Sequence, residues 1–166
     1  EVHGTILIPV PNRVQSPISI DSDPGSVERN YLKVKEVGEC DILPLLADLT
    51  DPSPAIGWAN KERSSLLDRS PSDVVMALAL VHHLAITNNV PFRKMVGLFQ
   101  GICNWLIVEF VPKDDPQVQK LLSAREDVFP DYSQECFEKF FSGPFEIKLV
   151  ETIKSSKRIL YLMKKR

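Results

Sequence analysis

Ser72-Asp73-Val74-Val75-Met76-Ala77-Leu78-Ala79-Leu80-Val81-His82-His83-Leu84 is a nearly unbroken apolar run that ends in paired histidines. A run of this length predicts a central parallel strand covered on both faces. In open α/β sheets, ligands bind just beyond the carboxyl ends of such strands. The reading therefore sets His82 and His83 on the rim where chemistry is usually done.

Working outward from this run, strands and helices alternate. Ile18-Ser19-Ile20 predicts a short strand feeding a helix that Asp23 can cap and Pro24 can begin, with Val27, Tyr31 and Val34 as its apolar stripe. Asp41 to Ala47 reads as a strand ending at Asp48. Leu49 to Ser72 is a long connection opened by the turn Asp51-Pro52-Ser53-Pro54, and functional loops are often of this kind. Beyond the histidines, Pro91 to Cys103 reads as a helix and Trp105 to Val111 as a buried strand. A short helix capped by Asp115-Pro116 runs through Leu122, and another spans Ser133 to Phe141. Phe145 to Thr152 and Arg158 to Met163 should pair as a hairpin across Lys154-Ser155-Ser156-Lys157. The expected fold is α/β, with a mostly parallel sheet, helices on both faces and a C-terminal antiparallel hairpin that reverses one strand.

Composition limits the class. The 166 residues are 43% hydrophobic and 25% charged, which describes one globular domain. A net charge of −2 offers no global basic field, so nucleic acid is not expected as a partner; the basic tail from Lys154 to Arg166 reads as a solvated face. Cys40, Cys103 and Cys136 are odd in number, far apart and lie in or beside apolar segments, which suits reduced thiols in a cytoplasmic protein. No metal-ligand spacing or secretory signal is present, and no apolar run reaches the roughly 18 residues of a membrane span. The chain begins at Glu1 rather than Met, so it reads as a trimmed or partial chain.

The predicted sheet, with acidic residues ending two successive strands before the histidine run, resembles class I S-adenosylmethionine-dependent methyltransferases. More closely, Asp51-Pro52-Ser53-Pro54-Ala55-Ile56-Gly57-Trp58, Glu62-Arg63, the run from Ala77 to Leu84, and Glu109-Phe110-Val111-Pro112-Lys113 are similar to the methyltransferase family related to nodulation proteins. The likeness covers residues 18 to 166, taken as one Rossmann-like domain. Residues 1 to 17 read as an atypical N-terminal segment.

The resemblance implies S-adenosylmethionine as cofactor and a small molecule as methyl acceptor. Asp21 matches the acidic position that binds both ribose hydroxyls, with Asp23 its nearest rival; a carboxylate offers paired acceptors to a vicinal diol. The plainer alternative is that both aspartates cap the following helix. Asp48 matches the position that accepts from the adenine amino group, and the Leu49 backbone would complete the adenine's polar edge; a turn role is the alternative for Asp48. His82 and His83 are candidates for a base that deprotonates the acceptor. On a strand only one of them would face the pocket.

Trp58 and Arg63, with Glu62, sit in the long connection, where a tryptophan could stack on the acceptor or simply anchor the loop. Asn88 could contact substrate or open a helix. Glu109 could face substrate or pair with Lys113, and a metal site built from His82 or His83 with Glu109 and Asp114 lacks recognisable spacing. One departure matters. No acidic, glycine-rich loop precedes Ile18, and although His3 to Val10 could be a strand, Pro11 to Pro17 leaves no room for the crossover that should follow it. The domain therefore reads as N-terminally incomplete, and a non-catalytic structural or partner-binding module is the alternative to an enzyme.

Overall fold

The computed structural model describes residues 5–9, 17–38, 42–69, 71–123 and 126–166. Seven strands form one sheet: β1 (Thr5–Pro9), β2 (Pro17–Asp21), β3 (Leu43–Leu46), β4 (Ser72–Leu78), β5 (Cys103–Phe110), β6 (Phe145–Thr152) and β7 (Ile159–Lys165). Their order across the sheet is β3-β2-β1-β4-β5-β7-β6. Among the described residues four α-helices accompany them: α1 (Pro24–Val37), α2 (Phe92–Ile102), α3 (Pro116–Leu122) and α4 (Gln134–Phe141). The starting point expected for the third strand, Asp41, lies outside the described residues, as do Cys40 and the segment from Pro11 to Ser16.

The sheet is mixed rather than mostly parallel in its pairing. Parallel ladders join β2 to β3 and β4 to β5, while β7 runs antiparallel to both β5 and β6, as a closing hairpin requires. A second reversal was not expected. β1 runs antiparallel to both neighbours, with Ile6 opposite Ile20 on one side and Ala77 on the other. The cause is the short link between Pro9 and Pro17, since a parallel return takes about a dozen residues and an antiparallel one takes a turn. The slot between β2 and β4 is thereby filled, and no central edge is left open.

Register identifies the two faces. Val75 and Ala77 on β4 pair with Leu106 and Val108 on β5, and these pair in turn with Met163 and Tyr161 on β7. All six are fully buried, because α2 and α4 cover this face. Helix amphipathicity explains the fit: Met95, Val96, Phe99 and Ile102 make one stripe on α2, and Phe137 and Phe141 one on α4. Phe137 stacks on Phe141 at 4.2 Å and also touches Phe110, Tyr161 and Phe92 at 5.1–5.7 Å. On the opposite face α1 lies over β2 and β3, where Asn30 donates to Ser19 at 2.9 Å. Helices thus occupy both faces, but α1 has no buried residue, and Val74, Met76, Trp105 and Ile107 on its side stay half-buried.

The histidine run does not remain a strand. β4 stops at Leu78, Ala79 takes a left-handed φ of 49°, and His83–Thr87 forms a π-helical turn. Leu84, Ala85 and Ile86 bury their side chains from that turn. Apolar periodicity cannot separate a long buried strand from a short strand followed by a buried helix, which is why the run reads as one element.

Phe137 joins the most rings in the core. Phe137→Ala should cost about 3–5 kcal/mol, lowering the thermal midpoint by roughly 10 °C or more in a calorimetric scan, whereas Phe140→Ala on the exposed side of the same helix should change it little.

Candidate functional site

The carboxyl ends of β2, β3 and β4 converge on a cavity of about 320 Å³. β2 delivers Asp21 and Ser22, the segment after β3 delivers Asp48, Leu49 and Thr50, the π-helical turn delivers His83, Thr87 and Asn88, and Leu121 on α3 closes one side. Five residues singled out in the sequence meet here: Asp21, Asp48, Leu49, His83 and Asn88. The others do not line it.

Asp21 is 6% exposed and its Oδ1 accepts the Asp23 amide at 2.9 Å. That bond turns the chain out of β2 and into α1. Asp23 has a different role. Its carboxylate accepts from the amides of Gly25 and Ser26 and from the Ser26 hydroxyl, so it caps α1 and takes no part in the cavity. Asp48 holds the next turn, its Oδ1 accepting from the amide and hydroxyl of Thr50 at 2.8 and 2.7 Å. The turn role and the place on the cavity wall therefore coexist in Asp48.

His82 and His83 sit on one helical turn with ring centroids 4.3 Å apart, rather than on opposite sides of a strand. His83 faces the cavity. His82 is 2% exposed, and its Nδ1 has no hydrogen-bond partner among the described residues. Burial, together with the neighbouring His83 and Arg158, depresses its pKa to about 3, so the ring is neutral at physiological pH. A base that must reach an acceptor in the cavity is therefore His83, not His82.

Trp58 and Arg63 lie in a small hairpin closed by paired backbone bonds between Ile56 and Arg63. Gly57, Ala59 and Asn60 all have positive φ, and a Cβ at Gly57 would collide with the Glu62 side chain. This tight 3₁₀ tip holds the tryptophan 85% exposed.

Glu109 faces neither the cavity nor Lys113. Its Oε2 accepts the Ala79 amide at 2.8 Å, and its Oε1 accepts from Arg158 Nη1 at 3.1 Å. Arg158 also donates from Nε and Nη2 to Asp115 at 2.8 and 3.2 Å, and Asp115 in turn caps α3 through the Gln117 amide. Although burial alone would raise it, these bonds hold the Asp115 carboxyl below the usual carboxylate range. Lys113 pairs instead with Asp127 at 2.7 Å, and Asp114 with Lys157. No group of three metal-ligating side chains occurs among the described residues. Cys103 and Cys136 are free thiols; burial pushes Cys103 up to about 12, so it is inert.

Arg158 escaped sequence reading because an arginine after a polar turn looks solvated. Ser22, Thr50, Thr87 and Leu121 escaped because small polar or apolar residues in loops carry no spacing signal.

Over 150 residues, 90% of its length, the chain is 37% identical to the nodulation protein NoeA of Rhizobium meliloti strain 1021. The match spans 31% of NoeA, so the chain corresponds to about a third of that relative. No protein-family model matches, and neither does any solved structure. No helix among the described residues is long and apolar enough to cross a membrane.

Arg158→Met would leave Glu109 and Asp115 buried without their counter-charge and should cost about 3–5 kcal/mol in urea unfolding. Lys113→Met, which breaks a largely exposed pair, should stay within about 1 kcal/mol. The histidine gives a separate signature. An unfolded chain protonates His82 near pH 6.5 while the folded chain resists until about 3, so folding stability should fall as pH drops from 6.5 toward 4.5, by at most about 1.4 kcal/mol per unit. His82→Phe should flatten that slope. Asp115 acts in a lower window: its lowered folded pKa adds stability above the ordinary carboxylate pKa of 3.8, and this is lost as pH falls below it.

Proposed function

We propose that the chain is the core of an S-adenosylmethionine-dependent methyltransferase acting on a small-molecule acceptor. The observation that carries this reading is the meeting of Asp21, Asp48, Leu49, His83 and Asn88 around one cavity at the carboxyl ends of the strands. These residues come from three separate stretches of the chain, and the resemblance to methyltransferases implied roles for Asp21, Asp48 and Leu49. The reversed β7, inserted between β5 and β6, also fits the hairpin that the resemblance implies.

The donor set suits the adenosine half of the cofactor. Asp21 would accept both ribose hydroxyls, Asp48 would accept from the adenine amino group, and Leu49, Leu80, Leu84 and Leu121 offer apolar walls for the base. The cofactor supplies a methyl group activated by a sulfonium. The chain's own contribution is to hold the two reactants in line and to exclude water, which accounts for most of what such a transfer needs. His83, on the cavity wall, would take a proton from the acceptor. Asn88 beside it would orient the acceptor through its amide.

One observation favours a second reading. β1 runs the wrong way to carry a glycine-rich loop at its carboxyl end into this cavity, so the same sheet could serve as a module that binds without transferring a methyl group.

Thermal unfolding with S-adenosylmethionine or its demethylated product separates the readings. At a hundredfold excess over the dissociation constant, the ligand should add about 2.7 kcal/mol and raise the midpoint by roughly 5–10 °C. The shift should vanish in Asp21→Asn and weaken in Asp48→Asn. An unmoved midpoint would count against a working cofactor site.

A further inference from the structure

We infer that a second cavity, walled by aromatic rings and carrying one positive and one negative side chain, is a binding site for a free aromatic α-amino acid. This site is separate from the proposed cofactor cavity and does not depend on that reading.

The second cavity, of about 330 Å³, lies between the link from β4 to α2, the segment leading into α4, and α4 itself. Its volume is near the lower end of the roughly 300–1,000 Å³ of small-molecule sites, which suits a ligand built on a single ring. Phe92, Phe129, Tyr132 and Phe140 line it, and Pro91 and Pro130 add apolar surface.

The inner wall is fixed from behind. Phe92 and Tyr132 are both buried, with ring centroids 5.6 Å apart, and Phe92 meets Phe137 edge-on at 5.7 Å. The Tyr132 hydroxyl donates to the Val111 carbonyl at 2.6 Å, and the Tyr132 amide to the Phe129 carbonyl at 3.1 Å. A wall held in this way need not be reordered to receive a ligand, so little binding energy is lost. The rim differs: Phe140 is 37% exposed and Val128 63%. Phe137 and Phe141 supply the core contacts of α4, which leaves Phe140 to the cavity. A ligand that fills the space takes both rim side chains out of water.

Charge selects the ligand class. Arg93, in the first turn of α2, and Asp131, in the segment before α4, both line the cavity and are exposed. Neither has an ion-pair partner among the described residues. A simple anion would be drawn to Arg93 and opposed by Asp131, and a simple cation would meet the reverse. A zwitterion satisfies both, its carboxylate matching the guanidinium fork and its ammonium the Asp131 carboxylate. Asn89, held at a φ of 54°, adds an amide to the same lining. An apolar ring beside adjacent opposite charges is the chemistry of an aromatic amino acid.

The test is chemical-shift mapping of the intact chain with L-phenylalanine, alongside L-alanine, phenethylamine and 3-phenylpropionate, which lack the ring, the carboxylate and the ammonium in turn. L-Phenylalanine should move the amides of Asn89, Phe129 and Asp131, and should bind at least about fivefold more tightly than each of the other three. Two substitutions at exposed positions, which should leave the circular dichroism spectrum unchanged, divide the contributions. Phe140→Ala should weaken L-phenylalanine by about fivefold, and Arg93→Gln should erase its advantage over phenethylamine. Any of three results overturns the inference: those amides stay in place at about 10 mM L-phenylalanine, the shifts fall instead on Asp48, Thr50 and Asn88, or either singly charged probe binds as tightly as the zwitterion.

Discussion

One guanidinium ties the functional end of this molecule together. Arg158 stands at the entry to β7 and reaches two carboxylates on successive elements: Glu109 at the end of β5, and Asp115 at the start of α3. Glu109 then passes the constraint to the Ala79 amide just past β4. Four elements, of which only β5 and α3 are consecutive in the chain, are thus held by four charge-assisted bonds, three of them from the guanidinium. Their planar, forked geometry is one an arginine can satisfy and a lysine cannot. The neighbouring pairs Lys113–Asp127 and Lys157–Asp114 are largely solvated and contribute far less.

The left-handed Ala79 follows from that clamp. A non-glycine residue at φ 49° is uncommon, and it persists only where surrounding contacts over-determine it. Fixing it ends β4 early and sends the rest of the apolar run into the π-helical turn. The turn buries Leu84, Ala85 and Ile86 against the core and swings His83, Thr87 and Asn88 out over the ends of β2 and β3. Had β4 run on through the histidines, as its composition invites, they would have projected beyond the sheet on alternate faces, and the cavity would have lacked one wall.

This contrast shows what could be learned from sequence. The alternation of elements, the caps at Asp23 and Asp115, and the closing hairpin were legible because local chemistry determines them. Asp21, Asp48 and Leu49 are picked out as candidates by the resemblance, His83 because it ends the apolar run and Asn88 by its place just beyond it, and all five line the cavity. The end of β4, the partner of Glu109 and the exposure of Trp58 were not legible. Each depends on a residue tens of positions away, or on a hairpin tip stabilised by positive φ values that no spacing rule anticipates. The direction of β1 lies between these cases. A link too short for a crossover announces that a parallel return is impossible, but only the pairing shows that the strand enters the sheet at all.

That reversed strand carries the largest functional consequence. In a sheet whose site is built from strand ends, each flanking strand normally contributes the loop by which it leaves. β2, β3 and β4 do so here, supplying the acid, the turn and the histidine. β1 runs the other way, so the cavity is built from three strand ends and closed on one side by Leu121 of α3. Pairing alone preserves the hydrophobic layer, since α2 and α4 cover β4, β5 and β7 whichever way their neighbour runs. Fold and cavity therefore respond differently to the same reversal: the core tolerates it, and the cavity wall changes with it.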